Sequence, residues 1–417
     1  MLQKVSLATK DIRKYRGLIG DELIDEVEVL ARDLEGIRIC HINSTPFGGG
    51  VAELLFSYIP LIRSLGLQAD WQIIRGDQRF FTITKSLHNA LQGAEYPLLE
   101  QQTRRIFLAN NQKNARELDR NYDVFVINDP HPAALRHFCD GGSAKWIWRC
   151  HIDSSEPDEE TWQFLRPHIE EHDAAIFTMN KFVPHDLKVP NIAIMPPCID
   201  ALSTKNMLLP KKEVCSTMVE NAGLDPDRPL IIQVSRFDRW KDPFGVIEVY
   251  KLARESVPGL QLALVGSLAH DDPEGWELYA AINKEAEKYA DIQVFSNLNG
   301  IGNMEVNAFQ RAADIVIQKS IKEGFGLVVA EALWKGTPVV AGNVGGIPMQ
   351  MAGILSNFLV DTIEECAEKV VYLLENRASA KEIGAAGTAH IKANFLMPRL
   401  IKEELSLIKT LLRDQHS

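Results

Sequence analysis

The sequence predicts an α/β protein with parallel sheets in more than one domain, and three observations carry that reading. The chain has 417 residues, more than one hydrophobic core usually spans. Short apolar runs recur through both halves and break off into polar or glycine-bearing loops, as strands buried on both faces do. In the second half such runs start near Leu230, Leu260, Asp291, Asp314, Pro338 and Asn357, with helical runs between them. That alternation belongs to a parallel sheet covered on both faces. No solenoid-period repeat and no low-complexity segment interrupts it.

In chain order, Met1 to about Gly20 shows little periodicity, and Asp21 to Leu34 has helical spacing with Leu23, Val27, Leu30 and Ala31 on one face. Ile37 to Ile42 reads as a strand. It ends in the loop Asn43 to Gly50 with three consecutive glycines, and Val51 to Leu65 reads as a helix. Glycines there let a backbone approach a ligand closely, but the G-x-G-x-x-G dinucleotide pattern is absent, which disfavours a nicotinamide enzyme. Gln68 to Ile74 is a strand, Arg75 to Phe81 a polar-aromatic loop, and Thr84 to Gly93 carries Lys85, His88, Asn89 and Gln92 at spacings of three and four. Those side chains share one helix face and suit a polyhydroxylated ligand. Strands Asp123 to Ile127 and Lys145 to Arg149 deliver Asn128-Asp129-Pro130-His131-Pro132 and Cys150-His151-Ile152-Asp153 at their carboxyl ends, where open α/β sheets bind ligands. Asp173 to Thr178 and Ile192 to Met195 read as further strands. Pro196-Pro197 stops regular structure, and a hinge is expected over about 196 to 210.

The first strand of the second half, Leu230 to Val234, delivers Arg236 and Lys241. Gly266, and then Asn297 with the loop Leu298 to Gly302, end the next two. Asp314 to Gln318 runs into Lys319-Ser320-Ile321-Lys322-Glu323-Gly324-Phe325-Gly326 and then a helix-forming run from Leu327 to Trp334. A strand, a glycine turn and a helix N-terminus present backbone N–H groups and a positive dipole end to an anion. Two carboxylates beside such a site, Glu323 and Glu331, point to a ligand with hydroxyls as well as phosphate. Ala341 to Pro348 is another strand-end loop. Thr362 with Glu365 is a capping box for a helix over Ile363 to Leu374, and Met397 to Leu412 has an apolar face of Leu400, Ile401, Leu405, Ile408 and Leu412.

Hydrophobic residues make up 46% and charged residues 24%, an ordinary globular balance. The net charge of −11 argues against a nucleic-acid surface, which would be basic. Six scattered cysteines form no C-x-x-C pair, so zinc and redox motifs are unsupported. With no signal-peptide core and no apolar run of about 18 residues, a cytoplasmic protein without a membrane span is expected.

Glu323 and Glu331 stand eight residues apart with Gly-Phe-Gly directly after the first. This resembles the Glu-x7-Glu signature of retaining, nucleotide-sugar-dependent glycosyltransferases. The Lys85 to Gln92 and Arg149 to Asp153 segments resemble trehalose synthases of that superfamily, and the likeness runs over nearly the whole chain. It implies a GT-B fold: two Rossmann-like domains facing a central cleft, over 1–200 and 201–396, with a helix in 397–417 crossing back to the first. It implies a reversible transfer of glucose from a nucleoside-diphosphate-glucose to free glucose, with retention. In that likeness Arg236 and Lys241 stabilise the leaving diphosphate, Glu323 meets the donor hexose and Glu331 the ribose. Gly49, Gly50, Asn297, Gly324, Phe325, Gly326 and Leu327 complete the donor side. Lys85, His88, Asn89, Gln92, Asp129, His151 and Asp153 serve the acceptor, His151 also near the donor sugar. No cofactor is required, no metal site or metal-holding Asp-x-Asp motif is demanded, magnesium stimulation stays open, and so does a homodimer. A sugar phosphorylase, a non-hydrolysing epimerase and a nucleotide-sugar sensor without turnover remain as alternatives.

Overall fold

The structure is a computed structural model that describes residues 1–47, 49–94, 100–139, 141–268 and 273–413, apart from the side chains of 211, 212 and 273. Gly48 of the glycine loop and the last four residues of the 397–417 segment lie outside them. The chain divides into two units, Met1–Cys198 with Met397–Ser417, and Ile199–Leu396.

The first unit is organised on seven strands: β1 (Gln3–Lys4), β2 (Arg38–Asn43), β3 (Gln68–Ile73), β4 (Val124–Asn128), β5 (Lys145–Arg149), β6 (Ala174–Phe177) and β7 (Ile192–Ile194). Their order is β1-β3-β2-β4-β5-β6-β7, and every pair is parallel except β1 with β3. Strand β4 is buried at every position, as a strand covered on both faces must be. The connecting helices are α1 (Glu22–Asp33), α2 (Gly50–Arg63), α3 (Gln78–Leu91), α4 (Gln101–Glu117) and α5 (Glu159–Ile169).

Three local readings change. The apparently aperiodic N-terminus contributes β1, which pairs antiparallel with β3 through Gln3↔Ile73; two residues are too few to show a period. Helix α1 buries Ile24, Val27 and Ala31, so the inward stripe runs one residue on from Leu23. Helix α3 starts inside the expected Arg75 to Phe81 loop because the Asp77 carboxylate accepts from Phe80 N at 2.8 Å, an N-cap that satisfies an orphan amide.

The second unit holds β8 (Leu230–Arg236), β9 (Gln261–Ser267), β10 (Ile292–Ser296), β11 (Ile315–Gln318), β12 (Val339–Gly342) and β13 (Leu359–Val360) in the order β10-β9-β8-β11-β12-β13. All pairs are parallel. Between them run α6 (Pro243–Ser256), α7 (Pro273–Ala286), α8 (Asn303–Ala312) and α9 (Leu327–Trp334), and after β13 follow α10 (Ile363–Glu375) and α11 (Arg377–Asn394). The capping box of α10 forms as its sequence predicts, with Thr362 Oγ1 accepting from Glu365 N at 3.1 Å.

The last helix, α12 (Met397–Arg413), belongs to the first unit and buries Leu400, Ile401, Leu405 and Ile408. On the same buried face it carries Glu404, whose side chain is 0% exposed and bonded at 2.7 Å by Arg149 Nη1. His41 Nε2 lies 3.1 Å from the other carboxylate oxygen. Burial alone would raise the Glu404 pKa, but His41 and Arg149 outweigh it and hold the carboxyl down at about 2. The helix is thereby locked to the ends of β2 and β5. All six cysteines are free and buried, and among the described residues no helix is long and apolar enough to cross a membrane.

Candidate functional site

Each sheet reverses its strand order once beside its first central strand. In the second unit the reversal lies between β8 and β11, and ligands of open α/β sheets bind outside the carboxyl ends at such a point. Two segments emerge there. Strand β8 ends at Arg236, and a 3-10 turn Arg239–Lys241 follows, then Asp242, which sits at φ 49° and caps α6 by accepting from Gly245 N at 3.0 Å. After β11 comes Lys319 to Gly326, opening α9.

The two segments are tied by charge. Lys241 Nζ donates to Glu323 Oε2 at 2.5 Å, and Lys319 Nζ to Asp242 Oδ2 at 2.8 Å. Ser320 Oγ adds a bond to the same Glu323 oxygen at 3.2 Å. Lys241 and Glu323 are both largely buried, with side chains 16% and 12% exposed. Arg236 is more open and pairs with Asp238 at 3.5 Å. Thus Lys241 and Glu323 meet directly, while Arg236 stands on its own strand end.

The glycine turn is fixed by its neighbours. Gly326 is left-handed at φ 81° and forms the N-cap of α9 without a side-chain cap, so the first-turn amides keep their capacity for an anion. The strand-end loop after β12 closes on this turn: a Cβ at Gly345, itself at φ 55°, would sit 1.6 Å from the Glu323 carbonyl. Gln350 Nε2 donates to the Phe325 carbonyl at 2.5 Å. The Phe325 ring is core, 5.4 Å from the Phe395 ring. Leu327 is the half-buried first residue of α9.

Glu331 is 1% exposed and bonded by Lys205 Nζ at 2.8 Å. Lys205 lies in the expected hinge, and sequence reasoning did not single it out; a lysine among Ser203 to Pro210 looks solvated until the fold puts Glu331 against it. Asn297 gives both amide atoms to Leu268, at 2.9 and 3.1 Å, and so fastens the loop after β9. Asp225-Pro226-Asp227 has the letters of an Asp-x-Asp motif, but Asp225 Oδ1 accepts from Asp227 N at 2.9 Å, a turn ahead of β8 at the strand-start edge.

In the first unit the reversal lies between β2 and β4. The glycine loop leaves β2 there, with Gly49 as the extended N-cap of α2 and Gly50 its first residue. Among the described residues, nothing lies within 4 Å of a Cβ built at Gly49. Beyond β4, Asp129 adopts φ 63° and its Oδ1 accepts from the His151 amide at 3.0 Å. His151 Nε2 lies 2.9 Å from Asn128 Oδ1. The His88 ring on α3 comes within 6.0 Å of the His131 ring, so Asp129 and His151, and His88 and His131, are brought together.

Burial sets the charge states here. It pushes the Asp129 carboxyl up to about 7 and His131 down to about 4. His151 falls well below the ordinary imidazole value through burial and, secondarily, the Arg149 guanidinium. Lys85 is exposed and Asn89 and Gln92 half-buried, on the α3 face opposite buried Phe80, Thr84 and Leu87. Asp153 turns back on Ser155, accepting from its amide at 3.0 Å and its hydroxyl at 2.6 Å. Asn128 and Glu404 were missed by sequence reasoning. A carboxylate at a core position of the amphipathic C-terminal helix was the available signal for Glu404.

Comparison with known proteins identifies the family and the fold. Residues 41–184 match the family model "Trehalose synthase, N-terminal domain" and residues 216–390 match "Glycosyl transferases group 1". A trehalose synthase of Rubrobacter xylanophilus is 48% identical over 99% of this chain and 100% of its own. A trehalose phosphorylase of Grifola frondosa is more distant, 28% identical over 86% of this chain and 55% of its own. Among solved structures, a sucrose-phosphate synthase from Thermosynechococcus elongatus superposes with a TM-score of 0.70 at 17% identity, covering 91% of this chain and all of that one. This last likeness concerns the GT-B fold.

Proposed function

The chain belongs to the trehalose synthase family of glycosyltransferases, and on that footing we propose that it moves glucose from a nucleoside-diphosphate-glucose to free glucose. The reaction is reversible, proceeds with retention, and gives an α,α-1,1-linked disaccharide and the free diphosphate. The observation that carries the donor half is the Lys241–Glu323 pair beside the uncapped N-terminus of α9. An ammonium and free helix amides suit a diphosphate, and carboxylates suit sugar hydroxyls.

In this reading Arg236 and Lys241 take up the negative charge that develops as the bond from the anomeric carbon to phosphate breaks. Glu323 orients Lys241 and accepts from the hexose, and Glu331 accepts from the ribose, with Lys205 steadying it. A bond from the acceptor hydroxyl oxygen to the anomeric carbon forms on the same face, and the hydroxyl proton passes to the departing phosphate oxygen. The acceptor half rests on Lys85, His88, Asn89, Gln92, Asp129 and His151. Glucose is neutral, and neutral imidazoles and a carboxyl poised near neutrality hydrogen-bond it without a charge to desolvate. No metal is required in this scheme, and the enzyme works in the cytoplasm.

The test incubates the protein with a panel of nucleoside-diphosphate-glucoses and free glucose, and identifies the disaccharide and its anomeric configuration by NMR. An α,α-1,1 product supports the reading. An inverted linkage, or turnover with orthophosphate alone, overturns it.

A further inference from the structure

Away from both strand-end clusters, the first unit brings two histidines and a glutamate together. His137 lies in the 3-10 turn Arg136–Phe138, on the connection from β4 to β5. His168 lies in the last turn of α5, and Glu171 follows three residues later. One ring nitrogen from each histidine and one carboxylate oxygen all lie within 4.8 Å of one another. His137 Nδ1 is 2.6 Å from Glu171 Oε1, and the two imidazole rings meet edge-on at 4.9 Å. The connectivity fixes the place. The connection bearing His137 is returning to the start of β5, and α5 ends just ahead of β6, so the cluster sits at the strand-start edge. The residues assigned to glucosyl transfer lie at the opposite, carboxyl ends of the strands.

We propose that His137, His168 and Glu171 form a binding site for a divalent transition-metal ion of the zinc class, structural rather than catalytic. Two imidazole nitrogens and a carboxylate oxygen are a three-protein-ligand set that zinc accepts, with a fourth position left to water. The ligands come from two chain segments, so the ion would cross-link the β4–β5 connection to α5. His168 is built for the role. Its ring packs edge-on against Phe164 at 6.0 Å, and among the described residues its Nδ1 is buried without a hydrogen-bond partner. A neutral imidazole is the form that ligates. Binding replaces the proton shared by His137 Nδ1 and Glu171. At metal–ligand distances of about 2.0–2.2 Å the N···O separation opens to roughly 3.3 Å, a side-chain adjustment at a half-exposed surface.

Tag-free full-length protein, stripped with a chelator, is titrated with Zn2+ by calorimetry, alongside H168A and E171Q. One equivalent should bind, with affinity falling at least about tenfold in each variant, while glucosyl transfer by the variants stays at the parent level. Co2+ gives an independent readout: a strong visible absorption of tetrahedral type in the parent that is lost in H168A. Circular dichroism confirms that the variants are folded. Absence of stoichiometric binding by the parent, or binding that both variants retain in full, overturns the proposal.

Discussion

The two sheets end in clusters of opposite electrical character. Outside β8 and β11, lysines and carboxylates are held as charged pairs: Lys241 with Glu323, Lys319 with Asp242, Lys205 with Glu331. Outside β4 and β5, the comparable groups are driven toward neutrality, with Asp129 raised and His131 and His151 lowered by burial. The topology is alike: the donor-side cluster lies at its sheet's reversal between β8 and β11, and the other follows β4, which borders its own reversal, and the adjacent β5. The difference lies in partners. A buried charge with a counter-charge keeps its ionised form, and a buried group without one gives it up. In the proposed reaction the first end would take the anionic diphosphate and the second the neutral sugar.

The largest break in the contrast should come from Glu404, whose charge pair with Arg149 lies under the neutral end. Glu404→Ala leaves Arg149 buried, at 2% exposure, without its carboxylate. Breaking a buried pair typically costs about 3–5 kcal/mol, so the thermal midpoint should drop sharply. In the parent this contribution is present above about pH 4.5 and lost as pH falls toward about 2, because the folded pKa lies below the unfolded one. Next, Lys241→Ala should lower turnover by a factor corresponding to about 2.7–4 kcal/mol, the loss of one fixed donor at a developing charge. Arg236→Ala should act in the same direction, and steady-state kinetics reads both.

Glu331→Gln should weaken nucleotide binding by about tenfold, or about 1.4 kcal/mol, as measured by calorimetry, while glucose affinity stays unchanged. Added salt should sharpen the comparison without a mutation. Screening over about 8 Å at physiological ionic strength should weaken the nucleotide and leave glucose binding flat. Asp129→Asn probes the neutral end itself. The folded Asp129 pKa of about 7 exceeds its unfolded value, so its contribution to stability falls as pH rises from about 4 to about 7. The asparagine variant should therefore gain midpoint relative to the parent across that window and hold the gain above it, at about 2–4 °C per kcal/mol. His131 works the other way, gaining stability between about pH 4 and 6.5, which is why the difference between variant and parent is the quantity to measure.

The donor-side turn was legible because its signal is local. A buried strand, Gly324 and Gly326, and two glutamates within one stretch need no tertiary information, and Gly326 takes the left-handed conformation that favours glycine there. Asp129 and His151 were legible by position, since both follow apolar runs. Their electrical state was not, because it depends on what surrounds them. Lys205, Glu404 and Asn128 escaped because each acts on a group far away in the chain: Lys205 on Glu331, Glu404 on Arg149, and Asn128 on His151.

The sequence by itself determined the α/β class and the rhythm of strands and helices, because apolar periodicity, capping and glycine turns are written within a few residues of one another, and its Glu323 to Glu331 stretch carried the family resemblance. Tertiary structure alone decided strand order, and with it which strand ends meet at each reversal. It also decided that Glu404 would be buried under Arg149 and that Asp129 would sit near neutrality. Burial and counter-charge are properties of three-dimensional neighbours, and no run of residues contains its own surroundings.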